Sequence, residues 1–281
     1  MLLPAPYGTG LEPMALPEPS DSSTALITGA SAGIGEAIAR ELAGRGHGVT
    51  LVARREDRLR SLADELSGRF DVRAEALGAD LGDLRARADL VGRIEELGLE
   101  VEILVNNAGF GGGADFADTD RERLVSMVEV NCVALLDLQA TYLPGMVERG
   151  RGAVINIAST AAFQPLPGSA TYAATKAFVL SLSEAVHEEL KGTGATVTAI
   201  CPGPVKTEFT EAAGLEGAEE QVPGMLWTSA ESVAKTAVEA ARDGKRATIP
   251  GLLNRAGALT GQHAPRMLAL PIAKAVWRRA L

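Results

Sequence analysis

From Thr24 onward the chain alternates short apolar runs with longer segments of helical spacing, and this alternation constrains its fold more than any other feature. "TALITGA" is a brief apolar run closed by glycine, the pattern of a buried strand. "GEAIARELAGRG" follows, with Ile38, Ala39 and Leu42 at helical spacing and glycine at its end. "GVTLVAR" reads as a second strand and "REDRLRSLADEL" as an amphipathic helix carrying Leu59, Leu62 and Leu66 on one side. The alternation continues through "DVRAEALGADL", "VEILVNNAG", "GAVINIAST", "ATVTAICPG" and "ATIPG", with helical stretches between them. Thr119 with Glu122 reads as a capping box opening the long helix that ends at "VERG", and Thr228 with Glu231 as a second one. Strands that alternate with helices imply right-handed crossovers and a parallel sheet with helices on both faces. The expectation is one α/β domain of about seven strands over residues 24–255, an irregular proline-rich arm over 1–23 and an amphipathic tail over 256–281.

Composition narrows the function classes. The net charge of −9 lacks the basic face that nucleic acid requires, so no nucleic-acid partner is expected. Cys132 and Cys201 form no CxxC and read as small buried hydrophobes in a reducing compartment. His47, His187 and His263 have no metal-binding spacing, so no metal site is expected. The sequence has no apolar run of 18 or more residues, and the N-terminus lacks a basic segment followed by an apolar core, so neither a spanning helix nor a secretory signal is expected. These readings point to a cytoplasmic protein.

The loop "TGASAGIG" joins the first strand to the first helix. Gly29, Gly33 and Gly35 allow close backbone approach, and the helix start at Ile34 offers free N–H groups to a phosphate. In this strand–loop–helix setting the signal is that of a dinucleotide site in a Rossmann-like, doubly wound domain. The end of the second strand selects the coenzyme: an acidic residue there would hold a ribose 2′-hydroxyl. This chain has Arg54 and Arg55 instead, whose planar donors suit a 2′-phosphate, with Ser31 as an added hydroxyl. NADP(H) is therefore favoured over NAD(H).

Tyr172 and Lys176, in "YAATK", stand four residues apart and share a helix face. A tyrosine hydroxyl ordinarily titrates near pH 10, and a neighbouring ammonium is expected to lower that value. Tyr172 can then give a proton to a carbonyl oxygen or take one from an alcohol. Ser159, thirteen residues earlier, can hydrogen-bond the same oxygen as charge develops on it.

Taken together, "TGASAGIG", "NNAG", "YAATK" and "PGPVKT" resemble the short-chain dehydrogenase/reductase family in kind and order, over roughly residues 24–250. The resemblance implies a catalytic set of Asn131, Ser159, Tyr172 and Lys176. It implies that Tyr172 and Lys176 also meet the coenzyme, Lys176 through the nicotinamide ribose, and that Asn131 supports a water linking Lys176 to solvent. Asp80 and Leu81 are expected near the adenine. Asn107, Ala108 and Gly109 would flank the coenzyme, with Asn107 mainly bracing the sheet, and Pro202, Gly203, Val205 and Thr207 would meet its nicotinamide end. The implied activity is hydride transfer between NADP(H) and a carbonyl or secondary alcohol. The alternative is a nucleotide-binding sensor or scaffold of the same fold with little catalysis.

The resemblance further implies a lid over the substrate between Glu208 and Trp227, and a homodimer or homotetramer built on the long helices. Phe163, Phe209, Met225 and Trp227 could wall an apolar pocket. The tail is apolar with Arg266, Lys274, Arg278 and Arg279 interspersed. It could touch a membrane, but packing on the domain or a second subunit is favoured.

Overall fold

A computed structural model describes residues 16–209, 223–267, 270–271 and 273–275. Most of the arm, the greater part of the expected lid, and Arg278 and Arg279 lie outside the described residues. Seven parallel strands form one sheet: β1 (Ser23–Thr28), β2 (Val49–Ala53), β3 (Ala74–Gly78), β4 (Glu100–Asn106), β5 (Gly152–Ile157), β6 (Ala195–Ile200) and β7 (Ala247–Thr248). Their order is β3-β2-β1-β4-β5-β6-β7, so the chain winds outward in one direction and then in the other. The reversal falls between β1 and β4, where doubly wound sheets open a ligand crevice at the strands' C-terminal ends.

Burial follows the apolar runs. Every residue of β1, β5 and β6 is buried, as a sheet covered on both faces requires. On one face, α1 (Gly33–Ala43) and α2 (Glu56–Phe70) bury Ile38, Leu42, Leu59, Leu62 and Leu66. On the other, α3 (Leu84–Glu96) and α5 (Leu135–Arg149) bury Leu90, Ile94, Leu138 and Met146. Leu16 joins the first cluster, so the described end of the arm packs against the domain. Cys132 and Cys201 are both free and buried.

Both helices are capped one residue later than expected, by a single side chain and not by a capping box, since Arg123 and Ser232 stand where the box needs Glu or Gln. Asp120 caps α4 (Arg121–Val128) by accepting from Arg123 N at 3.2 Å, while the Thr119 hydroxyl donates to Asp115 O instead. Ser229, not Thr228, caps α7 (Ala230–Arg242), accepting from Ser232 N at 3.1 Å. A cap requires an extended backbone just before the helix, which sequence does not locate to a single residue.

The long helix is α4 and α5 joined by a π-helical segment, Glu129–Ala134, which contains Asn131. By length and composition, Arg121–Arg149 could cross a membrane, whereas the sequence led to no such expectation. Its buried residues, Met127, Leu135, Leu138 and Met146, pack in the domain as a core helix does. Beyond β7, α8 (Leu252–His263) starts before the expected boundary at 255–256 and buries Asn254 and Ala258.

Candidate active site

The crevice between β1 and β4 is shaped by glycine. Gly29 and Gly33 hold φ of 66° and 62°, which other residues rarely adopt. A Cβ on Gly35 would lie 2.4 Å from both Asn107 Nδ2 and Gly29 O. The glycine turn is therefore pressed against the end of β4. Asn107 Nδ2 donates to Thr28 O at 2.9 Å and Gly29 O at 3.2 Å, the bracing role expected of it. Thr28, which sequence reading passed over, fastens the same junction: its hydroxyl donates to Val105 O and accepts from Asn107 N and Ala108 N. Ile34 sits in the first turn of α1, packed against the core.

At the end of β2, Arg55 turns toward the glycine loop and donates from Nη2 to the Ser31 hydroxyl at 3.0 Å. The same guanidinium donates from Nη1 to Glu208 at 2.7 Å. Arg54 is exposed. Asp80 Oδ1 accepts from Gly82 N at 3.0 Å, which shapes the loop after β3. The Leu81 side chain is buried in the core, and its carbonyl accepts from the buried Arg87 at 2.7 Å.

Four elements converge on Tyr172. It lies in the first turn of α6 (Ala170–Glu189), and Lys176 lies one turn further on. Ser159 follows β5, near the tyrosine hydroxyl, and its own hydroxyl accepts from Ala161 N at 3.1 Å. Lys176 Nζ stands 5.8 Å from the Tyr172 ring centre and donates to Ile157 O at 2.8 Å. Asn131, from the π-helical turn, accepts from Phe110 N and donates to Phe110 O and the Thr175 hydroxyl, each at 3.0 Å. The Thr175 hydroxyl in turn donates to Tyr172 O at 2.8 Å. A Cβ on Gly109 would stand 2.9 Å from Asn131 Oδ1 and 3.6 Å from Lys176 Nζ. Asn131 thus ties the loop after β4 to the helix bearing Tyr172. π-helical turns recur at functional sites because they re-aim side chains within a helix.

The electrostatics correct one expectation. Burial pushes the Tyr172 hydroxyl up to about 12, and the nearby Ser159 hydroxyl pulls against that rise without cancelling it. Burial also lowers Lys176 to about 8. Desolvation is the dominant influence on Tyr172 and holds it above its ordinary value, where the sequence led to the expectation of a lowered one. At neutral pH Tyr172 holds its proton and can donate it.

The positions expected at the nicotinamide end lie in the segment that follows β6. Pro202 O accepts from Thr160 N at 2.9 Å, and Val205 bridges to Thr228. Gly203 leaves no room for a side chain, since a Cβ there would meet the Asn254 amide at 2.4 Å. The Thr207 methyl would meet a Cβ on Gly33 at 3.0 Å, so it closes over the glycine loop. Phe209 lies against Tyr172, with ring centres 5.7 Å apart. Of the other suggested wall residues, Phe163 packs beside the core, Met225 is exposed, and Trp227 lies under the Lys206 ammonium at 5.7 Å. A recess beside Tyr172 is lined by Gly112, Phe116, Leu124, Met127 and Ser169. Among the described residues there is no group of three or more His, Cys, Asp or Glu that could hold a metal ion.

A short chain dehydrogenase family model matches residues 23–216. The chain is a short-chain dehydrogenase/reductase. This dehydrogenase is 39% identical over 191 residues to sulfoacetaldehyde reductase 2 of Chromohalobacter salexigens, covering 67% of this chain and 75% of that one. It is 41% identical over 190 residues to an NADP-dependent 3-hydroxy acid dehydrogenase of Salmonella typhimurium, covering 66% and 74%. Its structure matches a short-chain dehydrogenase from Sphingobium yanoikuyae in complex with NADPH, with a TM-score of 0.77, 36% identity, and coverage of 85% and 92%. The protein is an NAD(P)-dependent oxidoreductase that acts on carbonyl and alcohol groups.

Proposed function

We propose that this dehydrogenase is an NADP(H)-preferring carbonyl reductase or secondary-alcohol dehydrogenase in which Tyr172 moves the proton. The observation that carries this reading is the meeting of Tyr172, in the first turn of α6, with the buried Lys176 one helical turn on and Ser159 at the end of β5. In reduction, Tyr172 donates to the carbonyl oxygen, and Ser159 supplies a second hydrogen bond where negative charge develops. Lys176 is the charged neighbour that repays the tyrosine's proton loss, and Asn131 positions both by pinning Phe110 and Thr175. The crevice fits a dinucleotide: glycines leave space where side chains would collide, and Arg55 with Ser31 makes an anion-binding corner. Within that crevice, Gly29, Ser31, Gly33, Ile34, Gly35, Arg55, Asn107, Ala108 and Gly109 would hold the coenzyme, with Thr207 on its nicotinamide side. When bound, the coenzyme supplies or accepts the hydride.

NADP preference is supported by Arg55 on Ser31 and by the NADP-dependent relative. The apolar Phe209 beside Tyr172 favours a substrate with hydrocarbon next to its carbonyl. No observation favours the sensor or scaffold reading. A homo-oligomer is supported by Val125, Val128, Val133 and Leu136, which stand exposed along the long helix, and by Phe178 on α6. Packing of the tail on its own domain is supported by α8: a Cβ on Gly261 would meet Gln164 at 2.5 Å. The decisive test is Tyr172→Phe assayed with NADPH against ketones and aldehydes. Turnover should fall by about 10²- to 10⁴-fold, the usual worth of a positioned proton donor. NADPH binding, followed by nucleotide fluorescence, should persist. Full turnover in this variant would refute the mechanism.

A further inference from the structure

Glu208 stands between two guanidiniums. Its Oε2 accepts from Arg55 Nη1 at 2.7 Å and its Oε1 from Arg58 Nη1 at 2.6 Å. The other edge of Arg55 rests on Ser31, through Nη2 at 3.0 Å and Nε at 3.3 Å. A carboxylate thus fills the corner where Arg55 and Ser31 would receive a phosphate. Arg58 was not singled out by sequence, yet it is as near to that carboxylate as Arg55. It lies three residues beyond Arg55, in the first turn of α2.

The neighbours of Glu208 give the contact its consequence. Thr207 packs its methyl over Gly33, and Phe209 packs on Tyr172. Three consecutive residues therefore touch the phosphate loop, the anion corner and the proton donor. All three members of the ion-pair cluster are about half exposed, at 43%, 48% and 48% for Arg55, Arg58 and Glu208. Exposed pairs of this kind are weak enough to be displaced by a doubly charged phosphate.

We propose that Glu208 is an internal competitor for the 2′-phosphate of NADP(H), and that Arg55 and Arg58 together form the site for which carboxylate and phosphate compete. Glu208 then sets the degree of coenzyme discrimination: its charge neutralises one of two guanidiniums, while NAD(H), with no 2′-phosphate, does not need to displace it. This rests on the coenzyme reading above.

The test is calorimetric titration of the full chain with NADP⁺, NAD⁺ and adenosine 2′,5′-bisphosphate. The proteins compared are wild type, Glu208→Gln, Arg58→Ala and the double variant Arg58→Ala with Glu208→Gln. Glu208→Gln should tighten NADP⁺ and the bisphosphate by about threefold to tenfold, the scale of two half-exposed ion pairs, and leave NAD⁺ within about twofold. Arg58→Ala should weaken NADP⁺ and the bisphosphate selectively and shrink the gain from Glu208→Gln in the double variant. NADP⁺ binding that is unchanged or weaker in Glu208→Gln, or equal tightening of NADP⁺ and NAD⁺, would overturn the proposal. If wild type binds both coenzymes alike and Glu208→Gln acquires an NADP⁺ preference, the preference proposed for the native enzyme fails while the role of Glu208 stands.

Discussion

Replacing Lys176 with methionine should make the apoprotein more stable at neutral pH while removing activity. Lys176 is 5% exposed, and its ammonium has one hydrogen bond, to Ile157 O at 2.8 Å. Burial lowers it from 10.5 to about 8. At about 1.4 kcal/mol per pKa unit, keeping the charged form buried at pH 7 costs about 3 kcal/mol. Methionine removes that cost, fills similar volume, and forfeits a hydrogen bond from a charged donor worth about 1.5–3 kcal/mol. The net gain expected at pH 7 is about 0–2 kcal/mol. The pH dependence has a definite sign. Between about 8 and 10.5 the unfolded chain keeps the lysine proton and the native protein has lost it, so wild type gains stability as pH rises through that window. The variant has no such group, and its advantage should have largely vanished by about pH 9.5. Urea unfolding of both proteins without coenzyme, at pH 7, 8.5 and 9.5, reads this directly. A variant less stable than wild type at pH 7, or a difference constant across the three pH values, would refute the desolvation argument.

Two further outcomes follow from the geometry. Gly35→Ala forces a methyl to within 2.4 Å of Asn107 Nδ2 and Gly29 O, so it should lower stability by about 1–3 kcal/mol and weaken coenzyme binding. The urea midpoint and a coenzyme titration check it, and an unchanged midpoint would contradict the packing described. Ser159→Ala removes one hydrogen bond to the reacting oxygen and should lower kcat by about 10²- to 10³-fold with coenzyme affinity unchanged. Steady-state kinetics alongside a binding titration separate the two quantities.

The architecture was legible along the chain. Alternating periodicities are local signals, and seven apolar runs separated by helices leave few ways to bury every face other than a doubly wound parallel sheet. The glycine spacing, the Tyr172–Lys176 pair on one face of α6 and Ser159 beyond β5 were legible for the same reason: each depends on neighbours along the chain. The direction of the Tyr172 shift was not legible, because desolvation depends on what surrounds a side chain in space, and here it is the largest influence on the hydroxyl. Neither was the π-helical turn that lets Asn131 join Phe110 to Thr175, nor the fit of Gly203 against Asn254. Arg58 and Glu208 lie 150 positions apart, and no local pattern connects them. That carboxylate comes to lie between two arginines because the segment after β6 reaches across the reversal, with Thr207 over Gly33 and Glu208 at the start of α2.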